Sequence, residues 1–550
     1  MKMNENFDIS GFKKKEFAIF CGAGISKSSG LPLANELKQC ILEKLPIDKK
    51  DMDEIMNSIL PFEAFIETLS ENTDISRILD IFEDGMPNTN HIVIARLAKN
   101  GHLKLIFTTN FDLLIEKALE EEGLKRDKDF EVYYDEEQFL KIDFGNMDDG
   151  VIRIFKIHGS VDDRESIRTT MKTIASKTLS YKRMDIMRYL FSTGRHKKVI
   201  ILGYSCSDEF DITPQIQSIH EKQKQIIFVE HSKEGREIED VRVKEQKNPF
   251  KTFPGKRIKC NTDDFIRELW DSHSKTIGGY EPAESKVDWG TYVNDWAETL
   301  KENNSYLKYL IASLILYFIS KFNRAIVYSN KSLEIANEVR DKKKESECYR
   351  ILGNCYGHLG DNKKALEFYN RSLEISADSA QVSRCYSRVS SVYHKMRNFE
   401  SAIKFQEKAL EISKQNRDKE GEAKSYVGLG KVYIDLRELR RAHELIEKAL
   451  EMAKEIGNKN LEAGCYVEMG IISFRVGSLE TLSETEKALE IYKALGYKPG
   501  IAICYENLRR ILWSLEGDFD LDIEYRARMS EVLEEMGNDG KSLKKKLSRE

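Results

Sequence analysis

Four stretches place polar, chemistry-bearing residues directly after an apolar run. Gly22, Ala23, Gly24 and Ser26 follow "FAIF" at 17–20, and Thr109, Asn110 and Asp112 follow "KLIFT" at 104–108. His158 and Gly159 follow "IRIFKI" at 152–157, and Gly203 and Ser205 follow "KVIIL" at 198–202. A histidine beside a glycine is a general base with room for a bulky substrate. An asparagine can orient water or a hydroxyl, and a carboxylate can hold an amide. Glycines directly after a buried strand have the form of a tight phosphate-binding turn. Each residue also has a structural reading. His158 could be a core histidine bonded to backbone, Asn110 a helix cap, and Asp112 a carboxylate favoured near a helix N-terminus. Ser26 could be a cap in place of a phosphate or ribose contact. His91 in "PNTNH" reads chiefly as a helix start, and Asp208 and Asp211 read as well as turn formers as they do as ligands.

The glycine loop meets neither standard nucleotide motif. A G-x-G-x-x-G fingerprint needs glycine where Lys27 stands, and a P-loop needs glycine before its lysine, where Ser26 stands. The elements that must position these residues are buried strands. The four runs, with "QIIFV" at 225–229, are rich in Ile, Val and Phe without polar alternation. Helical stretches such as "NHIVIARLAKNG" and "DLLIEKALEEEG" separate several of them. This alternation predicts a parallel sheet with helices on both faces, in which ligands bind beyond the carboxyl ends of the strands.

The rest of the chain has another texture. Eight of nine prolines lie at or before Pro282. From about residue 287, "KSLEI", "RSLEI", "KALEI", "KALEM" and "KALEI" recur with leucines 40, 37, 40 and 39 residues apart. Tyr349, Tyr386, Tyr426, Tyr466 and Tyr505 recur with them. This periodicity predicts stacked helix pairs, and the small residues Gly353, Gly430 and Gly470 give it a resemblance to tetratricopeptide repeats. The period exceeds the usual 34 or so of that family, which fits a longer helix or loop between repeats. Cys348, Cys385, Cys465 and Cys504 each precede a repeat tyrosine, with Ser425 in the third repeat, as one small buried slot filled five times.

A chain of 550 residues is too long for one core. Its net charge of −5 gives no general pull towards nucleic acid or anionic membrane. Nine cysteines without a C-x-x-C argue for a reducing cytoplasm and against a zinc ribbon. The N-terminus lacks an apolar signal core, and the most apolar stretch, "YLIASLILYFI", is shorter than the roughly 20 residues of a membrane span. A cytoplasmic protein is expected, with no membrane and no nucleic-acid partner.

The series "GAGIS…SGLP", "TTNFD", "HGS" and "GYS" resembles the sirtuin (SIR2) domain over about residues 15–270. The resemblance implies a Rossmann-like sheet that binds NAD+ and cleaves its nicotinamide–ribose bond. It implies His158 as base and Asn110 as the group orienting water or a ribose hydroxyl. Gly22, Ala23, Gly24, Ser26, Thr109, Asp112, Gly203 and Ser205 would line the NAD+ site. Departures matter too. The four-cysteine zinc module of deacylating sirtuins is missing, the Phe-Arg pair after "SGLP" is missing, and Thr109 stands for the usual Gln. This combination, with helical repeats, resembles the SIR2-like NAD+ hydrolases of prokaryotic antiviral systems, which deplete NAD+ on infection. The resemblance implies a catalytic domain at 1–275, a linker at 276–300 and repeats at 301–550 that bind a trigger protein, of phage or other origin, or a neighbouring copy in a homo-oligomer. NAD+ would be substrate, and no metal is expected. ADP-ribosyl transfer, sirtuin-type deacylation and a non-catalytic repeat scaffold are the alternatives.

Overall fold

The computed structural model describes residues 16–167, 181–273, 287–300 and 305–535, plus isolated positions near the C-terminus, apart from gaps at 59, 61, 148, 207–211, 220–222, 233–234, 243–247, 479, 495–497 and 515–518. The chain divides into two compact units. One holds most of the sequence up to Lys301, and the other holds Leu45–Ser58 and Glu302–Glu550.

The first unit is built on an eight-stranded sheet. Its strands are β1 Phe17–Cys21, β2 Leu103–Thr108, β3 Phe130–Tyr133, β4 Ile152–Lys156, β5 Lys198–Leu202, β6 Gln225–His231, β7 Glu237–Asp240 and β8 Gly255–Cys260. Their order is β3-β4-β2-β1-β5-β6-β8-β7, parallel throughout except for the β7–β8 pair. The five apolar runs of the sequence are β1, β2, β4, β5 and β6. The other three strands are not read from the sequence: β3 "FEVY" and β7 "EIED" are only four residues long, and β8 "GKRIKC" is largely polar.

Alternate residues of each strand enter different cores, as the two-residue period of a strand requires. Ile19, Cys21, Ile106, Ile154 and Ile200 pack with helices 89–99, 114–121 and 262–273 on one face. Ala18, Phe20, Phe107, Phe155 and Ile201 pack with 181–193 and 212–218 on the other. β1 sits between β2 and β5, so the chain leaves it in one direction first and in the other later. That is a switch point, the place in such sheets beside which ligands bind. The register sets Lys156, Thr108, Cys21 and Leu202 in one row across four strands. All four polar loops therefore leave the sheet at one level.

Part of the stretch expected as linker is structured. Trp289–Thr299 is a helix of the first unit, with Trp296 fully buried and its indole donating to Thr73 Oγ1 at 3.2 Å. Residues 276–286 lie outside the described residues.

Among the described residues the second unit carries twelve helices from Tyr306–Phe318 to Phe519–Glu535, in six pairs of neighbours in sequence, besides Lys49–Met56. The long period comes from long helices, 14 to 18 residues in the pairs from 342 to 476, and not from long loops. Cys348, Cys385, Cys465 and Cys504 are fully buried and Ser425 nearly so. Gly353 and Gly430 let the paired helix close in, since a Cβ there would stand 2.7 Å from the Tyr369 ring or 2.5 Å from Ile446 Cδ1. Ser390, at the equivalent place, instead donates to Ala402 O at 2.7 Å. Helix Lys49–Met56 also belongs to this unit, although the sequence placed it in the catalytic domain. The buried Asp51 carboxylate receives Arg324 Nε at 2.8 Å and the Tyr328 hydroxyl at 3.0 Å. Lys321 pairs with Glu54 at 2.9 Å. Such pairs are invisible to sequence reading because partners some 270 residues apart share no local pattern.

Candidate functional site

β1 runs into a short 3-10 helix, Ala23–Ser29, closed by Gly30 in the left-handed conformation. The close approach that its glycines allow is to the loop after β5. A Cβ on Gly22 would lie 2.6 Å from Gly203 O, and one on Gly24 would lie 2.7 Å from Gly203 Cα. Gly203 has φ +63°, and its own Cβ would meet Ile25 N at 2.5 Å. Gly24 N–H donates to Gly203 O at 2.9 Å. Three glycines thus lock two strand ends together at the switch point. Ser205 is exposed beyond them. Asp208 and Asp211 lie outside the described residues.

Ser26 lies at the centre of a buried polar cluster. Its hydroxyl is 2.8 Å from Asp112 Oδ2, 3.1 Å from Asn110 Nδ2 and 3.2 Å from His91 Nε2. The protons in this cluster have one consistent arrangement. Asn88 N–H donates to His91 Nδ1 at 3.2 Å, so a neutral His91 carries its hydrogen on Nε2 and gives it to Ser26. Burial pulls the His91 imidazole down to about 4, against Asp112 and Asp263, which pull it up. Ser26 then donates to the Asp112 carboxylate and accepts from Asn110. Its one proton and two lone pairs are all used.

This arrangement sets the Asn110 amide. Its nitrogen is committed to Ser26, and its Oδ1 is buried without a hydrogen-bond partner. Asn110 is not a helix cap. The following helix starts at Leu114, whose N–H is received by Asp112 Oδ1 at 3.1 Å. Thr108 Oγ1 receives Asn110 N–H at 3.0 Å, and Thr109 N–H bonds Cys21 O at 3.1 Å, which ties the loop to β1.

His158 is buried, with its ring centroid 6.4 Å from that of Phe111, the neighbour of Asn110. Gly159 follows with φ +90°, and a Cβ there would strike Ile167 N at 2.7 Å. Val161 N–H returns to Phe111 O at 3.0 Å, so the loops after β2 and β4 are stitched together. Cys21 is close by, but burial pushes its thiol far up, and it is no nucleophile.

Asn88 and Asn90 are not among the candidate residues read from the sequence. Asn88 caps helix 89–99, receiving Asn90 N–H at 2.9 Å, and its amide holds Ile25 O at 2.7 Å and Ser28 Oγ at 2.8 Å. Asn90 bridges Ile25 O and Asp263 Oδ1 at 3.1 and 2.7 Å. His91 is the helix-start residue expected, and it also reaches Ser26. Two asparagines and a histidine packed into "PNTNH" are the signal that could have marked a clamp on the glycine loop. Among the described residues no group of three His, Cys, Asp or Glu side chains could hold a metal ion. None of the described helices is long and apolar enough to cross a membrane.

Residues 104–248 match the SIR2-like domain family, and residues 309–378 and 381–455 match tetratricopeptide repeats. The chain carries a SIR2-like domain and tetratricopeptide repeats. Among curated proteins, NAD(+) hydrolase ThsA of Bacillus cereus (strain MSX-D12) is 28% identical over 287 residues, 49% of this chain and 57% of that protein. NAD(+) hydrolase ThsA of Acinetobacter baumannii (strain 532279) is 32% identical over 126 residues, 22% of this chain and 24% of that protein. The chain thus spans less than two thirds of the length of either relative. Among solved structures, BtubC from P. vanneervenii aligns at 22% identity with a TM-score of 0.35, covering 40% of this chain and 92% of its own.

Proposed function

We propose that this protein hydrolyses NAD+ at the nicotinamide–ribose bond, releasing nicotinamide and ADP-ribose. The observation that carries this reading is the orphaned Asn110 Oδ1. A buried acceptor without a partner is costly, and a ribose hydroxyl or the attacking water would satisfy it. The wider set fits the chemistry. Departure of nicotinamide leaves a ribosyl, cation-like transition state. The Asp112 carboxylate offers negative charge close to it, and Asn110 orients a hydroxyl. His158 takes the proton of the incoming water or of a ribose hydroxyl. The two relatives named as NAD(+) hydrolases support the same reaction.

The site assignment is catalytic Asn110 and His158, with Gly22, Ala23, Gly24, Ser26, Thr109, Asp112, Gly203 and Ser205 around the dinucleotide. Ser26 acts through its neighbours, because its hydroxyl is fully used inside the protein. The biological reading is an antiviral effector in the cytoplasm, with repeats that receive a trigger protein or a neighbouring copy. Stacked helix pairs present an extended surface suited to a protein partner.

Incubating the purified full-length protein with NAD+ separates the readings. Free nicotinamide with ADP-ribose is the expected outcome. A labelled protein acceptor would make it a transferase, nicotinamide release dependent on acetyl-lysine peptide a deacylase, and binding without turnover a scaffold. The antiviral role predicts a fall of cellular NAD+ during infection, and an unchanged NAD+ pool in infected cells would remove it.

A further inference from the structure

Lys156 ends β4, two residues before His158, and is completely buried. Its ammonium donates to Asp112 O at 2.6 Å, to Glu116 Oε1 at 2.9 Å and to Phe111 O at 3.2 Å. Three acceptors match the three hydrogens of an ammonium, so the group is saturated without water. Two of those acceptors are backbone carbonyls of the loop that carries Asn110 and Asp112. The third, Glu116, is on the helix that this loop begins and is itself buried.

A buried ion pair is poor evidence of stabilisation. Apolar residues of the same volume usually serve a core as well or better. What Lys156 provides that a methionine cannot is a hold on two carbonyls. Backbone bonds already tie the ends of the loop, Ile157 N–H to Thr108 O at 2.8 Å and Val161 N–H to Phe111 O at 3.0 Å. Lys156 adds a second donor at Phe111 O and extends the grip to the carbonyl of Asp112, whose carboxylate receives Ser26. It does so from the strand that presents His158.

We propose that Lys156 is a positioning residue for NAD+ cleavage, fixing the Asn110–Asp112 loop against the strand that bears His158. Its effect on turnover rests on the hydrolase reading above, whereas its grip on the loop does not. The decisive variant is Lys156→Met with Glu116→Leu, which removes both buried charges together and leaves an apolar contact. Melting should stay near that of the parent protein. Turnover should fall about 10- to 100-fold with KM little changed, the scale of a small misplacement of reacting groups. Backbone amide exchange over 109–114 should quicken at least about tenfold while the remaining strands stay protected. Glu116→Gln keeps an acceptor for Lys156 and both carbonyl contacts, so it should retain parental exchange and turnover within about threefold.

Parental exchange over 109–114 in the double variant, or a loss in Glu116→Gln as deep as in the double variant, would overturn the proposal and leave Lys156 as a counter-ion only. If the parent protein released no nicotinamide, the hydrolase reading would fall, and the exchange measurement would still decide the role of Lys156.

Discussion

The two units solve the packing of polar groups in opposite ways. At the strand ends of the sheet unit, buried polar side chains bond partners particular to each, and Asn110 Oδ1 is left open. Ser26 bonds His91, Asn110 and Asp112, and no second copy of this cluster occurs among the described residues. In the repeat unit the same small solutions recur. Ser313 donates to Ala325 O, and Ser390 donates to Ala402 O, with glycine at the matching places of the neighbouring repeats. A network without copies is lost when one member goes, because the groups left behind stay buried and unpaired. A repeat contact is one of several near-equivalent interfaces, and its loss is felt mainly by its neighbours.

The sharpest break of this contrast is in the site. His158→Ala and Asn110→Ala should each lower NAD+ cleavage by at least about a hundredfold, the scale for removing a positioned acid–base or orienting group. Far-ultraviolet circular dichroism should stay unchanged. A well-folded His158→Ala protein that still turned over at near-parental rate would take the histidine out of the chemistry.

A smaller effect is expected at the glycine lock. Gly203→Ala places a Cβ 2.5 Å from Ile25 N at a φ of +63°. Backbone cannot step aside cheaply, so stability should drop by about 2–3 kcal/mol in urea melts. A loss below about 0.5 kcal/mol would mean that the two loops separate freely.

The pH response should also belong to the sheet unit. Burial pulls His91 and His196 down to about 4 from an ordinary value of 6.5. The unfolded chain therefore takes up protons first as pH falls, and stability from these groups is full above about 6.5 and lost progressively towards 4. Between pH 7 and 5.5 each histidine should contribute about 1 kcal/mol to the loss. A fall in melting point from pH 7 to 5.5 as large in His91→Phe as in the parent would show that His91 contributes nothing to it.

The smallest effect is expected among the repeats. Gly353→Ala sets a Cβ 2.7 Å from the Tyr369 ring, and the strain is partly offset by the better helix propensity of alanine. A net loss of about 1 kcal/mol is expected, with unchanged basal nicotinamide release. A fall in release comparable to that of Asn110→Ala would mean that a repeat contact is felt well beyond its neighbours.

The sequence by itself determined the strands that carry the site, the helix pairs and their period. Those features repeat or alternate along the chain. Apolar runs mark β1, β2, β4, β5 and β6, and a small buried residue before a tyrosine, cysteine four times and Ser425 once, marks five of the helix pairs. Residue type and strand-end position also singled out Asn110, Asp112, His158 and the glycine loop. Tertiary structure decided what those groups do to one another. The glycines meet Gly203, not open solvent, because the parallel register places Cys21 beside Leu202. Asn110 is an oriented amide and not a cap, because its nitrogen donates to Ser26, 84 residues away along the chain, and Ser26 is itself held by His91. Lys156 looks like an ordinary strand-end lysine in sequence, and only the sheet brings two carbonyls and Glu116 to it. Local pattern encodes periodicity and burial. Hydrogen-bond direction depends on partners that the chain brings together only when it folds.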